Sequence, residues 1–218
     1  MRGIFLDKSK QNKKTLYLGL SPKQLASKNE VVFYPIIKIN HYNLLDKAFN
    51  KMWEDFSAFT HLLFTSKTTV DQLLPFIKKE QLKDKIIIAI GRETEKKLLS
   101  YEIKSIVCKE ETSEGVVEVL KTLVNPYILY AHSKNARPVI GTFLKENNIN
   151  HLNISIYEPQ INLDLPQVDL NHFDEVFFTS PSTVDAFFSQ FSDIPVLLKL
   201  SCIGPITQNY LNNFTSNK

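Results

Sequence analysis

Hydroxyls and glycines recur at four places where apolar runs of this chain end. Phe64-Thr65-Ser66 and Phe178-Thr179-Ser180-Pro181-Ser182 form one kind of corner, and Ile90-Gly91-Arg92-Glu93-Thr94 and Ile203-Gly204-Pro205-Ile206-Thr207 form the other. Serine or threonine at a strand-to-helix junction is a favoured N-cap, proline is tolerated at the first helical position, and glycine suits a tight turn. Each such residue alone describes only a well-built corner. Four corners together would present uncapped helix N-terminal amides, which bind carboxylates or phosphates through directed N–H groups and the helix dipole. Arg137, one of three arginines with Arg2 and Arg92, adds a planar fork able to grip a carboxylate with two parallel bonds. Lys67 and Lys134 lie near the same kind of corner and read more simply as solvated charges.

Other chemistries find little support. Cys108 and Cys202 are far apart, with no second cysteine or histidine at metal-ligand spacing, and are expected to be buried thiols. His41, His61, His132, His151 and His172 are scattered singly. The net charge of +3 comes almost wholly from lysine, and no basic run is interleaved with aromatics, so nucleic-acid binding is not indicated. The longest apolar runs, such as Ile86-Ile87-Ile88-Ala89-Ile90, fall far short of the roughly 20 residues that span a bilayer, and Ile4-Phe5-Leu6 is too short for a signal-peptide core. A cytoplasmic protein without membrane contact is expected.

The elements that must position the corners follow from periodicity. β-Branched or aromatic runs at about Leu16–Leu18, Val31–Tyr34, Leu62–Thr65, Lys85–Ile90, Lys104–Val107, Tyr127–Ala131, Leu152–Tyr157, Glu175–Thr179 and Leu197–Ile203 read as strands. Between most of them, Tyr42–Trp53, Thr68–Lys78, Arg92–Leu99, Glu114–Leu123, Arg137–Asn147, Ser182–Gln190 and Ile206–Asn212 place apolar residues at three- and four-residue spacing. Alternation of this kind predicts parallel sheets flanked by helices, with ligands at the carboxyl ends of the strands.

An internal repeat organises these elements. Phe-Thr-Ser and Thr-Val-Asp recur in register, at Phe64–Asp71 and Phe178–Asp185, and each copy is followed by a second run ending in Ile-Gly-x-x-Thr. The threonine-to-glycine separation is 26 residues in the first copy and 25 in the second. Two related α/β units therefore share one chain.

Taken in order, Phe64-Thr65-Ser66, Ile90-Gly91-x-x-Thr94, Thr112-Ser113-Glu114, the Arg137 helix ending in Asn148-Ile149, Tyr157-Glu158-Pro159, Phe178-Thr179-Ser180-Pro181-Ser182 and Ile203-Gly204-Pro205-x-Thr207 resemble the signature of the uroporphyrinogen-III synthase family. No single motif is specific; the ordered set from about residue 31 to residue 211 carries the resemblance. It implies two flavodoxin-like parallel-sheet domains joined by a two-stranded linker, the second inserted into the first. Domain one would be residues 1–37 plus 158–218, and domain two residues 38–157. The extended runs Val32–Ile39 and Ile154–Pro159 are the candidate linker strands. Domain one departs from the family pattern and reads as trimmed: about ten residues, Ser21–Glu30, link its first two strands, and eleven follow Thr207.

The resemblance further implies a cofactor-free cyclising lyase of tetrapyrrole biosynthesis. Its substrate, the linear tetrapyrrole polycarboxylate hydroxymethylbilane, loses its terminal hydroxyl, inverts the last ring through a spiro intermediate and closes to uroporphyrinogen III. Because closure to the uninverted isomer runs unaided, such an enzyme must hold geometry more than supply a reactive group. Tyr157 has the strongest claim to a chemical role, since a phenol is a neutral donor at neutral pH and could protonate the departing hydroxyl; otherwise it packs the hinge. Thr65, Ser66, Gly91, Thr94, Arg137, Thr179, Ser180, Ser182, Gly204 and Thr207 match family positions or corners expected to bind substrate. Thr94 and Thr207 read equally as first-turn helix residues. A monomer is expected, and the sequence leaves open a transient contact with hydroxymethylbilane synthase, which makes the unstable substrate. The rival readings are a non-catalytic two-domain binder of a tetrapyrrole or small ligand, and a flavin binder.

Overall fold

Apolar runs become short parallel strands here because each is bounded by polar or turn-forming residues that end its ladder. The computed structural model describes residues 13–21 and 30–216. Its strands are β1 (Lys14–Tyr17), β2 (Glu30–Phe33), β3 (Ile37–His41), β4 (His61–Phe64), β5 (Ile86–Ala89), β6 (Ile106–Val107), β7 (Tyr127–Ser133), β8 (Asn150–Ile161), β9 (Glu175–Phe178) and β10 (Lys199–Cys202). The helices are α1 (Asn50–Glu54), α2 (Lys67–Leu73), α3 (Arg92–Leu99), α4 (Ser113–Leu120), α5 (Val139–Glu146), α6 (Pro181–Gln190) and α7 (Pro205–Ser216). The chain has two compact units, one of described residues up to Lys38 and from Pro159 onward, the other of Ile39–Glu158.

In the first unit the strand order is β10-β9-β1-β2, with every pair parallel. Leu16, Leu18, Ile36, Val176 and Phe178 bury the sheet against Val184, Phe187 and Leu211 of α6 and α7. The Phe178 and Phe187 rings meet edge to face at 5.3 Å, and Phe188 of α6 stacks on Phe214 of α7 at 4.8 Å.

In the second unit β8-β7-β4-β5-β6 run parallel, with β3 beside β8 at the edge. Side chains alternate between two buried faces, which is why these strands read as continuous apolar runs. Leu62, Phe64, Ile87, Ala89, Leu129 and Ala131 pack with Val70 and Leu73 of α2 and Leu98 of α3. Leu63, Ile88, Ile128 and Tyr130 pack on the other side with Val116 and Leu120 of α4 and Ile140 and Leu144 of α5.

Ranked along the chain, the first sheet reads 2-1-3-4 and the five parallel strands of the second read 3-2-1-4-5. Among the described residues the first follows four positions of the flavodoxin-like order; the second follows the first five positions of the six-stranded dinucleotide-binding order, so the expected flavodoxin-like order does not describe that sheet. Both reverse winding beside the strand that ranks first, at β1/β9 in one unit and β4/β7 in the other.

Several boundaries differ from expectation for local reasons. The single extended run over Val32–Ile39 is two strands in two sheets, separated at Tyr34–Ile36 by Pro35, which has no N–H for a ladder. The helix expected from Tyr42 begins late: the Asn43 side chain accepts from the Leu45 amide and donates to Asp46, holding a turn, and only Lys47–Phe49 (3-10) and α1 are helical. α2 stops at Leu73 and passes into a 3-10 turn containing Pro75. Cys108 is buried as expected, whereas Cys202 is only partly covered. The stunted segment expected between the first two strands falls largely outside the described residues.

Candidate active site

In the second unit the winding reverses between β4 and β7, and ligands of open α/β sheets bind at the carboxyl ends of the strands flanking such a point. Thr65 and Ser66 follow β4 there. Ser66 is extended, at φ −159° and ψ 156°, and its Oγ accepts from the Thr69 amide at 3.1 Å, capping α2. The same Oγ lies 3.0 Å from Thr69 Oγ1 and 2.8 Å from the Tyr157 hydroxyl.

Tyr157 reaches this cap through a β-bulge. Ser155 pairs with His132 and Tyr157 with Ser133, so Ile156 is an extra residue in β8. A bulge re-aims the side chains beyond it; here Ile156 and Tyr157 both join the core on the α2 side of the sheet. Tyr157 is 7% exposed, and its carbonyl accepts from the Lys134 amide at 2.8 Å. The strand does not end at Tyr157, as the sequence suggests, but continues to Ile161. Lys134 is held by Glu158 at 2.9 Å.

A second tyrosine, not singled out from the sequence, stands at the same corner. Tyr130 of β7 is 3% exposed, and its phenol interacts with the Thr65 side chain. Burial, the dominant cause, pushes its pKa up to about 12. Within Tyr127–Ala131 it reads as one more strand residue; only the register that sets it beside Leu63 of β4, one strand turn before Thr65, distinguishes it.

Arg137 grips a carboxylate as its chemistry suggests, but one from its own unit: Nη1 and Nη2 each lie 2.8 Å from the two oxygens of Glu114. Those two bonds, the largest cause, hold Glu114 down at about 2. Thr112 caps α4 through the Gly115 amide at 3.1 Å.

The Gly91 corner adjoins this group, since the Ile90 amide donates to the Phe64 carbonyl at 3.0 Å. Its helix end is occupied: the Arg92 amide donates to Glu111 Oε1 at 3.1 Å. The Glu111 carboxylate also fills the space a Cβ on Gly91 would need. Thr94 is 4% exposed. The corners are therefore not the uncapped amides expected from the sequence. Thr69, Gly115 and Arg92 spend their N–H groups internally, while Lys67 and Thr68 keep first-turn amides with no partner within the helix.

In the first unit, Thr179, Ser180 and Ser182 lie at the β9 end, beside its winding reversal. Ser180 Oγ accepts from the Thr183 amide at 3.4 Å, and Thr183 Oγ1 accepts from the Thr179 and Ser180 amides at 3.2 Å each while donating to the Ser180 carbonyl at 2.7 Å. Pro181 has no N–H, so Ser182 supplies the remaining first-turn donor. Gly204 is open, with nothing within 4 Å of where a Cβ would stand, and Thr207 is 4% exposed. Thus Thr65, Ser66, Gly91, Thr94, Arg137 and Tyr157 belong to one unit, and Thr179, Ser180, Ser182, Gly204 and Thr207 to the other.

Among the described residues no group of histidine, cysteine and carboxylate side chains could hold a metal, and no helix is long and apolar enough to cross a membrane. Parallel α/β units of this class carry their ligand-binding groups at the carboxyl ends of the strands. A family model described as uroporphyrinogen-III synthase HemD matches residues 23–217. The chain belongs to the uroporphyrinogen-III synthase family, cyclising lyases of tetrapyrrole biosynthesis. No curated protein sequence matched it. In fold it is similar to uroporphyrinogen-III synthetase from Helicobacter pylori, with 20% identity over 93% of this chain and 89% of that one and a TM-score of 0.66. It is also similar to a mutant uroporphyrinogen III synthase from Thermus thermophilus, with 16% identity, the same coverage and a TM-score of 0.66. A wild-type crystal form of the Thermus protein gives 16% identity and a TM-score of 0.52.

Proposed function

We propose that the chain converts hydroxymethylbilane into uroporphyrinogen III and water, and that Tyr157 supplies the proton to the leaving hydroxyl. The observation that carries the role of Tyr157 is its 2.8 Å bond to Ser66 Oγ at the winding reversal of the sheet. Ser66 Oγ accepts from the Thr69 amide, and we assign its own proton to Tyr157 Oη at 2.8 Å rather than to Thr69 Oγ1 at 3.0 Å. In that arrangement the phenol's proton points away from the serine, toward a bound group, and the serine stabilises the negative charge that develops as the proton leaves. The hydroxymethyl C–O bond then breaks with release of water, and the electron-rich pyrroles supply the electron pair. The remaining task is positional: the last ring must attack through its substituted carbon, form the spiro intermediate and re-close inverted, and the proton lost as the closing pyrrole re-aromatises restores the Tyr157 phenol.

The first-turn amides of Lys67, Thr68 and Ser182, the hydroxyls of Thr65 and Thr179, and the open Gly204 corner are the donors assigned to substrate carboxylates, with Thr94 and Thr207 shaping the two glycine corners. Arg137 acts there only if substrate displaces Glu114. The two compact units are read as two α/β domains, the second inserted into the first, with β3 and β8 carrying the chain between them; the first keeps the flavodoxin-like order. A monomer without cofactor, in the cytoplasm, completes this reading. Purified protein given freshly generated hydroxymethylbilane should yield type III isomer after oxidation and chromatographic separation. Type I alone would refute the assignment.

A further inference from the structure

A cavity of about 280 Å3 opens in the second unit between the end of β7 and the first turn of α5. Tyr130, His132, Arg137, Thr142, Lys145 and Asn153 are among its lining residues, and none of the lining residues is acidic. Arg137 turns both terminal nitrogens to Glu114, which leaves Lys145, with no ion pair among the described residues, as the uncompensated cation. His132 is anchored, its Nδ1 2.7 Å from the Ser133 carbonyl and its Nε2 on Asn153. Its ring lies against Tyr130 at 4.5 Å between centroids. Pro138, which precedes α5 with no side-chain cap, lines the cavity with Gly141 and Thr142 of the helix, so the N-terminal end of α5 borders it; the Thr142 amide is spent on the Pro138 carbonyl at 2.8 Å, and of the cavity-lining residues only Gly141 keeps a first-turn amide without an intrahelical partner.

Cationic side chains, a helix N-terminus and a phenol in a cavity without a carboxylate attract an anion. At about 280 Å3 the cavity stands at the lower end of small-molecule sites, a size that suits one short acidic side chain or a small dicarboxylate. Tyr130 lines the cavity and pairs in register with Leu63, two residues before Thr65, so the cavity adjoins the strand end that leads into the corner where Ser66 meets Tyr157.

We propose that this cavity is a carboxylate subsite, with Lys145 its principal cation, that takes one acidic side chain of the substrate bound at the Thr65-Ser66 corner. The assignment to substrate rests on the function proposed above; the anion preference does not. Two probes separate them. Succinate should shift the amide resonances of Gly141 and Thr142 in the intact protein, and Lys145→Glu should abolish those shifts. Uroporphyrin III, the stable oxidised octacarboxylate, should bind Lys145→Glu about tenfold more weakly and Lys145→Arg as tightly as the parent, at low ionic strength. Lys145 is exposed, so an unchanged melting temperature serves to verify the fold of each variant.

Succinate shifts with unaltered uroporphyrin affinity would overturn the substrate assignment and leave a site for free small anions. No succinate shift, with Lys145→Glu binding porphyrin like the parent, would overturn the subsite altogether. Type III synthesis by the parent is measured alongside, so a failed subsite in a protein that makes type III is distinguished from a failed functional reading.

Discussion

The two copies of the Phe-Thr-Ser corner differ in what satisfies the serine. At Ser180 the helix answers from within: Thr183, three residues on, takes the Thr179 and Ser180 amides and returns its proton to the Ser180 carbonyl. At Ser66 the corresponding Thr69 offers only its amide and an oxygen 3.0 Å away, and the Tyr157 hydroxyl comes from a strand 91 residues further along the chain. The first corner is a closed capping box; the second is an N-cap with an external phenol. The same Phe-Thr-Ser thus builds a self-contained corner in one unit and, in the other, a cap joined by a phenol from a distant strand.

Tyr157→Phe is the sharpest way to break this comparison. It keeps the ring in the core but removes the hydroxyl on Ser66, and type III formation should fall between about tenfold, the cost of a lost orienting bond, and about a hundredfold, the contribution of a positioned acid. Stability should drop by only about 1 kcal/mol. An unchanged rate in the folded variant removes Tyr157 from the mechanism and leaves substrate folding by amides and hydroxyls.

Paired substitutions at the third helical position should reverse the ranking of the corners when stability is read instead. Thr183→Val keeps the buried volume but strips the acceptor from two amides, and should cost about 2 kcal/mol in denaturant unfolding. Thr69→Val removes a single hydroxyl contact and should cost about 0.5 kcal/mol, because Ser66 still caps α2. Equal losses would mean that the capping box is no tighter than the plain cap.

The Arg137–Glu114 pair gives a smaller, pH-dependent effect. Glu114 is held at about 2, below the ordinary carboxylate range, so its contribution to stability is present above that range and is lost as pH falls toward about 2. Arg137→Gln should return the Glu114 carboxyl resonance to an ordinary titration and remove that acid-side loss; a titration that stays near 2 would mean that backbone and Thr112 contacts suffice. If substrate displaces Glu114, Arg137→Gln should also weaken uroporphyrin binding, by a factor of a few. The smallest effect is that of salt. Binding should weaken modestly between low and high ionic strength, because short contacts to partly buried amides are screened less than those to exposed lysines.

Much of the frame was legible in the chain itself. Continuous apolar runs such as Leu62-Leu63-Phe64 and Ile86–Ile90 announced parallel strands covered on both faces, and the repeated Phe-Thr-Ser and Ile-Gly-x-x-Thr announced paired units, because local propensity and burial act on neighbouring residues. Tyr157 and Arg137 could be singled out by residue type and place. What those residues touch could not. The β8 bulge that turns Tyr157 to Ser66, the β7 register that sets Tyr130 beside Leu63, two residues before Thr65, and the carboxylates of Glu111 and Glu114 on the Arg92 amide and the Arg137 fork are long-range pairings. The different strand orders of the two units are of the same kind. A bulge is one residue of mismatch between strands, and a hydrogen bond is decided by fractions of an ångström between segments far apart in sequence; neither leaves a periodic trace in either segment alone. Composition and period therefore determined which residues were available for the chemistry, and tertiary register decided which of them meet.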